Sequence, residues 1–125
     1  MSKRGYYIGN HRTDAVGLNR NEWVMGIFMP ENDPRHSPHI EMKSWIRRPQ
    51  DPPEKSKYDD SINVTLIFGG EGFGEVEGKE MYVRTGDYLV VQPGIRVAFP
   101  TKVLKTIYGV TFKAPSNPDS KHIIV

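Results

Sequence analysis

Beyond residue 60 the chain is cut into short runs of β-branched, aromatic and other apolar residues by turns that contain glycine, and this punctuation constrains the fold most. Residues 62–68 read as a strand, and Gly69-Gly70-Glu71-Gly72 reads as a turn toward residues 73–76. Glu77-Gly78-Lys79 is a tight hairpin turn into residues 80–84, Thr85-Gly86-Asp87 turns into residues 88–92, and Pro93-Gly94 turns into residues 95–99. Residues 103–113 form the longest strand, with Leu104, Thr106, Tyr108, Val110 and Phe112 on one face. Short strands at this spacing predict an all-β domain, a sandwich or barrel of antiparallel strands.

The first half is less regular. Residues 22–29 (EWVMGIFM) predict a strand closed by Pro30, followed by a polar, proline-rich loop over residues 31–38. Residues 40–46 alternate, with Ile40, Met42, Ser44 and Ile46 on one face and His39, Glu41, Lys43, Trp45 and Arg47 on the other. Residues 49–60 hold three prolines and six charges and read as a loop with some extended backbone. No repeat and no helical period is sustained. The expected organisation is one domain over residues 1–125: a core at 22–113, an N-terminal arm at 1–21 and a C-terminal tail at 114–125. His122-Ile123-Ile124-Val125 in that tail predict one further edge strand.

Composition closes several routes. With 125 residues, 37% hydrophobic, the chain buries a core without staples. It has no cysteine, which excludes disulfides, thiol nucleophiles and thiolate metal sites and fits a reducing compartment. No apolar stretch reaches membrane-span length, and no apolar run follows the basic first residues as in a signal peptide, so a cytoplasmic location is expected. A net charge of +2 is too small for a nucleic-acid footprint; Arg47-Arg48 and Lys102 with Lys105 read as solvated surface. Gly70-Glu71-Gly72-Phe73-Gly74 looks like half of a dinucleotide fingerprint, but a strand follows it where the phosphate site needs a helix N-terminus, so it reads as a hairpin turn.

Phe68-Gly69-Gly70-Glu71-Gly72, Val76-Glu77-Gly78 and the segment from Val83-Arg84-Thr85-Gly86-Asp87 through Tyr88-Leu89-Val90-Val91-Gln92-Pro93-Gly94 resemble the conserved core of the cupin superfamily. The first looks like the turn closing the first cupin motif, the others like the intermotif hairpin and the start of the second. The resemblance covers about a third of the chain closely and the flanking strands more loosely. It implies a cupin jelly-roll barrel of two antiparallel sheets with a ligand cavity at one end.

The resemblance also implies where a metal would sit, and there the chain departs. Cupins that hold a metal use two histidines and a glutamate from the first motif and one histidine from the second. Here the glutamate position falls on Asn63, the last histidine position on Val97, and the first two near Ser56 and Tyr58 or Lys57 and Asp59; Gln92 stands where the family has proline. Asparagine and valine cannot hold Fe, Mn, Zn or Ni tightly, so no metal cofactor is expected. The dioxygenase, oxalate-degrading and phosphomannose-isomerase chemistries implied by other cupins lose their support.

Other residues remain to be weighed. His36 and His39 are three apart while His11 and His122 are isolated, and three of them make a zinc site only if the fold unites them. Trp45 and Tyr58 are cavity lining or plain core, and Asp59-Asp60 on a loop face solvent separately. In the cupin register Asn63 and Thr65 point inward, where a polar group needs a partner or a ligand. The expected ligand-binding set is Asn63, Thr65, Tyr58, Gln92 and His39. Three functions follow: a metal-free cupin binding a small polar molecule such as a sugar or organic acid; a metal-independent sugar-nucleotide isomerase or epimerase using His39, Glu41, Tyr58 or Asp60; or a dimeric structural or interaction module. A homodimer is expected in each case, because both faces of residues 62–68 and 88–91 are too apolar for water.

Overall fold

The computed structural model describes residues 5–15 and 22–116. Its regular structure is six strands, with no helix among the described residues: β1 (Trp23–Met25), β2 (Glu41–Arg47), β3 (Ile62–Val76), β4 (Lys79–Arg84), β5 (Tyr88–Val91) and β6 (Val97–Ala114). No described helix is therefore long and apolar enough to cross a membrane. The strands pair antiparallel in the order β1-β2-β6-β3-β4, with β5 on the first half of β3.

The two long strands make the jelly roll. The start of β3 and the end of β6 pair in one layer with β1, β2 and β5. The end of β3 and the start of β6 pair in the other layer with β4. The two layers therefore share β3 and β6 and stay joined along one hydrogen-bonded path. Between them Trp45, Ile67 and Ile107 of the first layer pack on Val83, Met81, Phe99 and Val103 of the second. The Trp45 and Phe99 rings meet edge-on at 5.9 Å.

Two expected breaks turn out to be bends inside strands. Gly69-Gly70-Glu71-Gly72 is no turn: β3 runs through it with shifts of register. Gly70 has φ +90, and a Cβ there would lie 2.0 Å from the Thr106 carbonyl oxygen, so only glycine admits this approach to β6. Residues 95–99 and 103–113 are likewise one strand. Pro100 sits where the β3–β6 register shifts between Phe73 and Glu75, so its missing N–H costs the ladder nothing. Its carbonyl accepts the Glu54 amide at 3.0 Å.

The first predicted strand is shorter than expected. Only Trp23–Met25 pairs with β2; residues 27–29 turn, and Phe28 and Met29 are apolar because they pack with Trp23 in a second small cluster. The loop of residues 49–60 lies along the free edge of the first half of β6, with Lys57 and Val97 exchanging amide bonds of 3.0 and 2.9 Å. The tail strand expected at 122–125 lies outside the described residues.

Candidate functional site

The register sets out the inner face of the first layer row by row. Trp23 is opposite Lys43, Lys43 opposite Thr111, Thr111 opposite Thr65, and Thr65 opposite Leu89. The next row runs Glu41, Lys113, Asn63, Val91, and the row on the other side runs Trp45, Gly109, Ile67. Directly opposed residues share a face, so these rows all look toward the second layer. A cavity of about 80 Å³ opens there, lined by the inner residues of β2, β3, β5 and β6 and by residues 54 and 57–59 of the loop.

Gly109 makes room for the indole opposite it: a Cβ at that position would fall 2.4 Å from the Trp45 ring. Trp45 thereby reaches along the sheet and donates Nε1–H to Thr111 Oγ1 at 2.9 Å, and Thr111 and Thr65 share a hydroxyl bond of 2.9 Å. The three groups own three protons and these two bonds use two of them. One hydroxyl proton on this row is left to donate into the cavity.

Four cations line the cavity, Lys43, Arg47, Lys57 and Lys113, against two carboxylates, Glu54 and Asp59. Two of the cations are neutralised inside the protein. Arg47 donates to Glu22 at 2.5 Å and Glu54 at 3.0 Å, and Lys113 donates to Asp59 at 3.0 Å. Burial works to raise the Asp59 carboxyl, but Lys113, the Ser61 amide and the Asn63 amide hold it below its usual value. Lys43 has no such partner: among the described residues no carboxylate reaches its Nζ within ion-pair distance. Burial first, then the charges of Lys57, Lys113 and Arg47, pull it down to about 8 against the opposing charge of Glu22.

Four of the five expected residues meet at this cavity. Thr65 is buried in the hydroxyl row, and Asn63 donates to Asp59 Oδ1 and the Ser61 carbonyl. Tyr58 and Gln92 are exposed at the mouth, with the Arg96 guanidinium 4.7 Å from the centre of the Tyr58 ring. His39 does not line the cavity; it is exposed on the loop before β2, where its amide is bonded to Ser37. The isolated histidines stay apart. His11 lies on the outer face, 2.7 Å from Ser44 Oγ and stacked on Phe68, while His36 bridges to Gly26. Among the possible acid–base residues only Tyr58 touches the cavity; Glu41 is buried against Ser116 and Asp60 is exposed.

The reading of Arg47 as solvated surface is corrected: it is 4% exposed and ion-paired. Lys43, Arg47 and Lys113 went unrecognised as lining because a charged face reads as an outer one. The available signal was strand β2 itself, whose alternation sets Lys43, Trp45 and Arg47 on one face.

The cavity wall does not fit a transition metal. At the positions matched to cupin ligands stand Asn63, Val97 and either Ser56 and Tyr58 or Lys57 and Asp59, and Asp59 is taken by Lys113. No three metal-ligating side chains cluster among the described residues. The surrounding cations repel a divalent ion.

Structures of the same shape are known. KdgF from a Halomonas species has 14% identity over 68% of this chain and 78% of its own, with a TM-score of 0.60. An RmlC-like cupin from Shewanella frigidimarina has 13% identity over 67% of this chain and 73% of its own, with a TM-score of 0.59. An RmlC-like cupin family protein with a double-stranded β-helix fold, from Methanocaldococcus jannaschii, has 15% identity over 64% of this chain and 73% of its own, with a TM-score of 0.58. No family model matches the sequence, and no curated protein matches it.

Proposed function

We propose that this chain, which has the cupin fold, uses its barrel cavity to bind a short organic acid without a metal ion. The observation that carries this reading is Lys43, a lysine lining the cavity that has no carboxylate within ion-pair distance among the described residues. Burying a charge is costly unless an opposite charge meets it. A ligand carboxylate supplies that charge, and the spare hydroxyl proton of the Thr65–Thr111 pair supplies a second donor. Among the small polar molecules considered, the donor surplus favours an acid over a neutral sugar.

Size points the same way. A cavity of about 150 Å³ admits benzene; this one, about 80 Å³, has room for an acid of a few carbons. The open interior also weighs against a barrel serving only as an association module. The lack of cysteine supports a cytoplasmic setting for this role.

Thermal unfolding in the presence of acetate, lactate and pyruvate tests the reading. A ligand at a hundred times its dissociation constant stabilises the native state by about 2.7 kcal/mol. At least one of these acids is expected to raise the melting temperature at pH 7, in the presence of EDTA, and to have no effect on Lys43→Met. Equal shifts in both proteins, or none in the wild type, would remove Lys43 as the anchor.

A further inference from the structure

We propose that Lys43 also reacts: its Nζ condenses with the carbonyl carbon of a short oxo acid held in the cavity, forming an imine while the carbonyl oxygen departs as water. This rests on the acid-binding reading and adds the substrate class. The step is balanced without an oxidant or reductant: the amine gives up two protons, and these leave with the carbonyl oxygen as one water molecule.

Imine formation requires a free amine, a seat for the rest of the substrate and groups that can pass protons. The amine stands among cations that disfavour its charge, since Arg47, Lys57 and Lys113 line the same small cavity. Glu22 and the face of Trp23, whose centre is 5.4 Å from Nζ, act in the opposite direction. The balance, burial included, lowers Lys43 from 10.5 to about 8, which leaves about 300 times more free amine at pH 7 than an ordinary lysine has. The seat is Lys57, the other lining cation without an ion pair among the described residues, so the carboxylate is held there while the carbonyl faces the amine. Thr111 is directly opposite Lys43, and its hydroxyl is bonded to that of Thr65. This pair is placed to pass a proton to the departing oxygen.

Borohydride trapping decides it. The whole protein is incubated with pyruvate and sodium borohydride at pH 7.5, and the intact mass and a peptide map are recorded. Lactate, which has no carbonyl, is the control, and melting shifts with both acids are measured in parallel. The expected result is one reduced adduct per chain, on Lys43, absent with lactate and absent in Lys43→Arg. Adducts scattered over exposed lysines, or no adduct although both acids raise the melting temperature, would overturn the imine and leave acid binding standing. No adduct and no melting shift with either acid would overturn both.

Discussion

Lys43 is costly to the fold, and the cost depends on pH. An unfolded Lys43 takes up its proton below about 10.5 and the folded one only below about 8. Between these values the unfolded chain binds more protons, so the lysine's contribution makes stability rise with pH across that window; below 8 the folded state carries the full burden of the buried charge. Lys43→Met is therefore expected to be more stable than the wild type at pH 7, by on the order of 1–3 kcal/mol. The difference should shrink as pH approaches 10.5. Urea unfolding of both proteins at pH 7 and pH 10 checks this, and a gap of the same size at both values would show that the charge is not its cause. A residue retained at such a cost next to a cavity fits use by a ligand.

The long strands owe their course to single backbone positions. β3 bends from one layer into the other where Gly70, at φ +90, lies against the carbonyl of Thr106. Gly94 has a similar φ of +84 in the turn before β6, but nothing stands within 4 Å of where its Cβ would be. The pair separates conformational cost from steric cost. Gly94→Ala is expected to lose only the cost of a left-handed residue, about 1–2 kcal/mol. Gly70→Ala adds a clash with backbone that cannot turn aside, and should lose well over about 2 kcal/mol. Equal losses in urea denaturation would mean that the bend tolerates a side chain and that β3 and β6 approach less closely than the structure has them.

At the scale of the whole molecule, the outer face of the first layer carries exposed apolar and aromatic side chains beside Arg12 and His11, which sit against Ser44. Leu66 and Phe68 of β3, Tyr88 and Val90 of β5, and Tyr108 of β6 alternate with the inward residues of their strands. Phe68 is 57% exposed, Tyr88 70% and Val90 47%. Neighbouring exposed apolar side chains of this kind mark association surfaces. A second copy related by a two-fold axis, which would set the same apolar side chains against each other, is the occupant we propose. Light scattering during size exclusion is expected to give twice the chain mass at micromolar concentration, and Tyr88→Glu with Val90→Glu should give the monomer. A monomeric wild type would refute this homodimer.

Local patterns settled much of this protein in advance. Strand periodicity, the Glu77-Gly78 hairpin and the Thr85-Gly86-Asp87 turn depend on neighbours in the chain, and the β4 and β5 strands lie where those signals predict them. The jelly roll and the inward aim of Asn63 and Thr65 were legible through the resemblance of the residue 62–94 region to cupins. Three things were decided only in three dimensions. Glycines at 69–72 could be a turn or a bend until β6 was seen packed against Gly70. His39 precedes β2 closely in sequence, yet the sheet leaves it outside the cavity. Most of all, alternation divides β2 into a face with Met42, Ser44 and Ile46 and a face with Lys43, Trp45 and Arg47, but it does not say which is inside. Hydrophobicity alone would bury the first. The second faces inward because Glu22, Glu54 and the Thr65–Thr111 row stand opposite or beside it, and all of these but Glu54 come from distant parts of the chain.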